Sequence, residues 1–461
     1  MAHHGKEDTM RSPFLLIISL LVLIGGSPAA ALAQGATPAT GDGSPSLASS
    51  ATQDRLDLAA MALTSADLPP GFVNVDEFYL LTAEGVAGFF LGQAVSPEQI
   101  AALDLTSMYF SAHAADADGT FLGITLSEFA SPDDVQAGFD VLEDDTRVIE
   151  GIKVLSTQDL PGPAIGDAPS ETTVAVVDYR AFGGPLVDVL DMTFRVDTIL
   201  VSVRLETDVE AGAAGDMASP ASATPVIDQQ REQLVNEIAT TLVERIEAVQ
   251  AGEEVSGVDQ SLPPLLLSTD QAWLLPGAVA EGYRDAPQIL GTLGPATEFT
   301  EAFESGYGRT VAPGTAQDDL YPEPPFVTVG VSRFTAPEAA MSVLEVANEV
   351  PNPSPVGSPQ IWEQVETAQV EGADASSTYR GAFHPGGPVD SARVAFVSGD
   401  AFVTVDVLGA ASEQAALDAA TDLAAQQAAC LAAGTPCQDL SVPQALETGA
   451  EATPVAAMPV R

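Results

Sequence analysis

The sequence predicts an α+β protein with two homologous domains, each an antiparallel sheet packed by helices, behind an N-terminal signal peptide. Three observations lead there. Apolar residues make up 46% of the 461 residues, enough to build cores over the two or three domains that this length allows. Two blocks of sequence recur in the same order, about 200 residues apart. Within each copy, strand-like runs follow one another instead of alternating with helices, which argues against a parallel α/β sheet.

The first element is an address. Phe14–Ile24 (FLLIISLLVLI) is an apolar run of 11 residues, too short to span a bilayer and suited to a signal-peptide h-region. Arg11 precedes it, and Ala31-Leu32-Ala33 supplies a small-x-small cleavage pattern, so the mature chain is expected to begin at Gln34. An uncleaved anchor is the alternative. No Cys stands at the cleavage point to carry a lipid. Residues 1–33 are read as signal peptide, 34–54 as flexible linker, 55–255 as the first repeat, 256–437 as the second and 438–461 as a disordered tail. Small, polar, Pro- and Gly-rich composition marks the linker and the expected loops Glu210–Ala223 and Pro351–Pro359.

The repeat is legible residue by residue. Phe121–Leu142 aligns without a gap with Phe326–Ala347, and Phe121/Phe326, Ser127/Ser332, Phe129/Phe334, Pro132/Pro337 and Val141/Val346 are identical. Tyr179-Arg180 and Tyr379-Arg380 then match, followed by Phe194–Val203 and Phe396–Val405. A period near 200 means whole domains, not a solenoid.

Each copy reads as β-β-α-β-β-β-α. In the first, Leu105–Ala112 and Phe121–Phe129 form a hairpin around Asp116–Gly119. Ser131-Pro132-Asp133-Asp134 opens a helix, with Ser131 as N-cap, Pro132 in the first turn and two acids at the positive helix end. Val135, Phe139 and Leu142 share one face; Ala340, Leu344 and Ala347 correspond in the second copy. Three strands are expected over Thr172–Tyr179, Val187–Val196 and Ile199–Leu205. A long helix from Thr224-Pro225 then carries the stripe Val235, Ile238, Leu242, Ile246 and Val249. The Ala-rich stretch Ser412–Ala433 closes the second copy.

Composition excludes several functions. Lys and Arg total 16 against 65 Asp and Glu, a net charge of −49, which rules out a general basic surface for nucleic acid or anionic lipid. The longest acidic run is only Glu143-Asp144-Asp145, so this charge is dispersed and gives solubility, not a binding tail. Two Cys exclude a disulfide-rich scaffold and multi-Cys metal sites. Cys430 and Cys437, seven apart at a helix end, are expected to form a local disulfide.

No catalytic constellation emerges. There is no G-x-S-x-G elbow and no Ser-x-x-Lys pattern. Past the signal, His113 and His384 are the only imidazoles, and both read as surface turn residues. Asp116-x-Asp118-Gly119 fails the EF-hand pattern at Ala114 and Thr125. Gly306-Tyr307-Gly308 lacks the third Gly of a dinucleotide loop. No cofactor and no metal ligands are expected. Tyr179, Arg180, Tyr379 and Arg380 are the one polar feature shared by both copies. They are therefore the candidate ligand contacts, against the plainer reading that each Tyr packs on the sheet and each Arg meets a carboxylate.

Leu63–Phe72 (Leu-Thr-x-x-Asp-Leu-Pro-x-Gly-Phe), Phe129–Pro132, Phe334–Pro337 and Ile165–Ala168 carry a resemblance. With them the chain resembles a loose group of exported bacterial domains that includes lipoproteins and the extracellular sensor parts of actinobacterial Ser/Thr kinases. The resemblance implies an extracytoplasmic α+β domain that binds a ligand or surface and does not catalyse. It transfers no site residue, and no kinase domain or lipobox Cys accompanies it. The expected function is a secreted, non-enzymatic tandem-domain protein binding a small molecule, peptide or envelope component, with no nucleic-acid partner and no membrane span after signal cleavage. A secreted carboxylate-dependent hydrolase and a ligand-free structural envelope protein are the alternatives.

Overall fold

The computed structural model describes residues 57–80, 102–115, 120–143, 153–180, 186–208, 229–266, 278–283, 302–311, 326–349, 362–365, 369–383, 389–435 and 437. The expected signal peptide, linker, tail and two loops lie outside these residues, as do His384, the 116–119 turn and the start of the long helix at Thr224.

Among the described residues, fourteen strands form one antiparallel sheet with two equal halves. The first half comprises β1 (Phe72–Leu80), β2 (Leu105–Ala115), β3 (Thr120–Phe129), β4 (Lys153–Ile165), β5 (Ala168–Asp178), β6 (Leu186–Val196) and β7 (Ile199–Asp208). The second comprises β8 (Ala278–Tyr283), β9 (Phe303–Val311), β10 (Phe326–Phe334), β11 (Glu363–Val365), β12 (Ala375–Phe383), β13 (Val389–Ser398) and β14 (Ala401–Ala410). The spatial order is β1-β2-β3-β7-β6-β5-β4 in one and β8-β9-β10-β14-β13-β12-β11 in the other, the same arrangement twice. The halves meet edge to edge where β1 pairs with β8, through Tyr79 opposite Val279 and Leu80 opposite Ala278.

Helices cover both faces. They are α1 (Leu58–Met61), α2 (Pro132–Glu143), α3 (Gln229–Gln250), α4 (Pro337–Glu349) and α5 (Glu413–Ala433). The long helices α3 and α5 bury one face. Val235, Ile238, Leu242 and Ile246 of α3, and Ala416, Ala419, Ala420, Ala424 and Ala428 of α5, enter one core with Ile124, Val203, Val329, Val394 and Val405. Alanines let α5 lie close to the sheet, and each large side chain buried there stabilises by roughly 1.5–3 kcal/mol. On the opposite face α4 supplies Ala340, Val343 and Leu344 to a second cluster with Phe334, Trp362, Tyr379 and Phe402. The helix starts follow their caps: Asp134 N–H donates to Ser131 Oγ (3.3 Å) and Ala415 N–H to Ser412 Oγ (3.2 Å).

After α1, the first half therefore runs β-β-β-α-β-β-β-β-α, two strands richer than the sequence pattern suggested, and the second half repeats that run. The additions are β1 and β4 with their counterparts β8 and β11. β4 (KVLSTQDLPGPAI) is an outer edge strand with Pro161 and Pro163 and largely exposed or half-buried side chains. An edge strand has one partner and little burial, so it shows no clean apolar alternation. β1 carries Asn74, Asp76 and Glu77 and a bulge between Asn74 and Asp76, which breaks its period of two.

Candidate functional site

Asp191 on β6 faces Arg204 on β7, and Arg393 on β13 faces Asp406 on β14. These are the same two places in the two halves, with the charges exchanged. In the second half Arg393 grips Asp406 in a two-pronged contact, Nε to Oδ1 and Nη2 to Oδ2, each 2.7 Å. Its guanidinium also lies 4.9 Å from the centre of the Trp362 ring. In the first half Arg204 Nη1 is 3.6 Å from Asp191, while its Nε donates to Glu206 at 2.6 Å. Burial opposes the charge on Arg204, but Tyr179, Asp191 and Glu206 together hold its pKa well above the ordinary value. Burial also pushes the Asp191 carboxyl up, against the pull of Arg204. Converting Asp406 to Ala is expected to destabilise by roughly 2 kcal/mol, read as a lowered urea midpoint, because a half-buried Arg393 loses its bidentate partner.

Of the candidate ligand residues, the two tyrosines adjoin these pairs and the two arginines meet other carboxylates. Tyr179 is buried; its hydroxyl donates to Glu206 and accepts from Arg204, both at 3.1 Å. Burial raises its pKa first, and the Glu206 carboxylate adds to that. Tyr379 is buried in the second-half cluster and donates to Asn348. Arg180 projects with 56% of its side chain exposed and donates to both oxygens of Asp178 (2.8 and 2.7 Å). That contact lowers the Asp178 pKa. Arg380 bridges Glu363 (2.7 Å) and Glu413 (3.0 Å). The two rings thus pack onto the sheet and the two arginines meet carboxylates at the surface. The four residues do not converge on one cleft, since each Tyr-Arg pair stays within its own half.

The turns contain a matched device that the sequence did not reveal. Asp167 N–H donates to Arg195 O (2.9 Å), and the Asp167 carboxylate accepts from Asp197 N–H. In the second half Asp374 N–H donates to Val397 O (2.8 Å), and its carboxylate accepts from Gly399 N–H (2.8 Å). Each Asp locks the hairpin joining the last two strands. This explains Ile165–Ala168 structurally: Gly166 has φ +67, and a Cβ there would sit 2.1 Å from Arg195 O. The locked turn needs a left-handed residue, Asp197 at φ 52 and Gly399 at φ 61. Gly399→Val is expected to cost about 1–2 kcal/mol in thermal unfolding, whereas Asp197→Gly is expected to be neutral or stabilising.

His113 is not a surface turn residue. It lies inside β2 at 0% exposure, beside Asn74 and Leu122 on the neighbouring strands, and neither ring nitrogen has a hydrogen-bond partner. Desolvation lowers its pKa to about 4. The expected strand, Leu105–Ala112, stops short of His113, whereas β2 runs on to Ala115, so the periodicity of a longer strand was the missed signal. Gly306-Tyr307-Gly308 is part of β9, a strand and not a phosphate loop. Cys430 and Cys437 form a disulfide, with Cα atoms 5.5 Å apart. A cavity of about 660 Å³ runs along the polar face of α3 past Gln233, Glu237 and Glu244; its described lining comes from that helix alone. Among the described residues, no three His, Cys, Asp or Glu side chains are grouped to hold a metal ion, and no helix is long and apolar enough to cross a membrane.

No family model and no curated protein matches the chain. Two solved structures are similar over part of it. One is the extracellular domain of PknH from Mycobacterium tuberculosis, at 11% identity and TM-score 0.25, covering 41% of this chain and 93% of that one. The other is a putative uncharacterized protein (Rv0999 ortholog) from Mycobacterium smegmatis, at 14% identity and TM-score 0.23, covering 42% of this chain and 97% of that one.

Proposed function

We propose that this chain is an exported, non-enzymatic protein of two duplicated α+β domains, 55–255 and 256–437, that binds a small molecule, peptide or envelope component. The observation that carries the reading is one seven-strand order built twice, with charged groups inside each half neutralised by one another instead of converging around a reacting centre. The export address in residues 1–33 supports an extracytoplasmic location. Arg180 and Arg380 are the proposed ligand contacts. In a chain with 65 acids, each follows the Tyr that the two sequence copies share, faces solvent and can exchange a carboxylate neighbour for an anionic group of a ligand.

The test is a thermal-shift screen of the purified protein against metabolite, peptide and glycan panels. A ligand is expected to raise the midpoint, and the rise is expected to shrink in Arg180→Gln and Arg380→Gln. Silence across all panels, or a shift indifferent to both substitutions, counts against the reading.

A further inference from the structure

The segment leading into each half is pinned to that half's long helix by different chemistry. In the first half, α1 is held by Arg245 of α3. Its Nε donates to Ala60 O (3.1 Å), and its Nη1 donates to Asp67 Oδ2 and Ser256 O (both 3.0 Å). In the second half, the turn Pro263–Leu265 takes the place of α1, ahead of β8. Gln427 of α5 occupies the place of Arg245 and donates to Leu265 O, the counterpart of Ala60 O. Gln427 makes this one bond where the guanidinium makes three. The remaining fastening comes from Cys437, whose backbone N–H donates to Pro264 O at 2.9 Å. Cys437 is buried in the main core together with Leu262 and Leu266, and Cys430 on the last turn of α5 holds it there through the disulfide. Gly434, left-handed at φ 60, has already ended the helix, so the covalent bond is what returns the chain to the turn.

We propose that the Cys430–Cys437 disulfide is a redox-sensitive latch, and that its reduction loosens the turn ahead of β8 while leaving the matching segment of the first half in place. The reductant is a small dithiol. One of its thiolates attacks Sγ of the half-buried Cys430, and Cys437 leaves as a thiolate that takes up a proton. The second thiol of the reductant then displaces Cys430 Sγ and closes the reductant's own disulfide, leaving two protein thiols. Opening this short loop returns chain entropy to residues 431–437, and the Cys437–Pro264 bond then has to hold without its tether.

The experiment is hydrogen exchange by mass spectrometry on the full chain, oxidised and after dithiothreitol, with thiol counting to establish complete reduction. Exchange across 259–266 and 431–437 is expected to speed up on the order of tens-fold on reduction, with 57–61 unchanged. Cys430→Ser/Cys437→Ser is expected to match the reduced profile without reductant. If that variant does not fold, the reduced wild type alone decides. Unchanged exchange across 259–266 in the fully reduced chain overturns the latch. Equal acceleration at 57–61 overturns it as well, because the disulfide would then stabilise the whole molecule and not one segment.

Discussion

Arg245→Leu is expected to destabilise the protein by about 3 kcal/mol, measured as the unfolding free energy in urea at neutral pH. The guanidinium is 5% exposed and reaches three acceptors on two segments distant in sequence. Removing it leaves Ala60 O and Ser256 O without those donors, and it strips Asp67 of its counter-charge. Asp67 keeps the Thr64 N–H (2.8 Å) and the Thr64 hydroxyl (2.9 Å), which places the loss at the lower end of the range for broken buried pairs. Burial lowers the Arg245 pKa, with Asp67 pulling the other way. Gln427→Leu in the second half removes one neutral hydrogen bond and is expected to cost about 1 kcal/mol. A loss below about 1 kcal/mol for Arg245→Leu would mean that packing of Leu58 and Met61, and not the guanidinium, holds α1.

The same contact shows what was legible in the sequence. Leu63–Phe72 stood out as a motif, but its chemistry depends on a partner 178 residues away: Asp67 meets Arg245. In the sequence Arg245 is one polar residue beside an apolar stripe. The stripe was readable because helix period and burial agree: Val235, Ile238, Leu242 and Ile246 all reach the core. The hairpins were readable for the same reason, since β2, β3, β6 and β7 lie inside the sheet and are strongly apolar. β1 and β4 were not, because a bulge interrupts one and an open edge dilutes the pattern of the other.

Charge exchange hid the most regular polar feature of the site. An alignment of identities pairs Asp191 with Arg393 and Arg204 with Asp406, which look like two mismatches. Only the strand register shows that each mismatch compensates the other. The visible identities at Tyr179 and Tyr379 do not share a place on the sheet: Tyr379 stands opposite Arg393 within β12, the place that Thr173 opposite Asp191 holds in β5, whereas Tyr179 follows the end of β5. An identical letter thus does not guarantee an equivalent place, while the charge pairing was kept through a change of letters.

The acid limb of the stability curve is expected to run through His113. An imidazole in the unfolded chain takes up a proton near pH 6.5, whereas the folded site resists until about pH 4. Between these values the unfolded state binds more protons, so stability rises with pH there. The contribution is fully present above pH 6.5 and is lost as the pH falls through 4. That window amounts to about 3 kcal/mol by pH 4 at 1.36 kcal/mol per unit. The cross-strand neighbours Asn74 and Leu122 do not titrate, so nothing opposite the ring in the sheet offsets the loss. His113→Leu is expected to be neutral or stabilising at pH 7, because it deletes two buried nitrogens that have no partner. Its unfolding free energy should fall by about 3 kcal/mol less than that of the wild type between pH 7 and pH 4. Parallel curves for the two proteins would show that His113 gains a proton in the folded state as readily as in the unfolded chain, and would overturn the expected depression of its pKa.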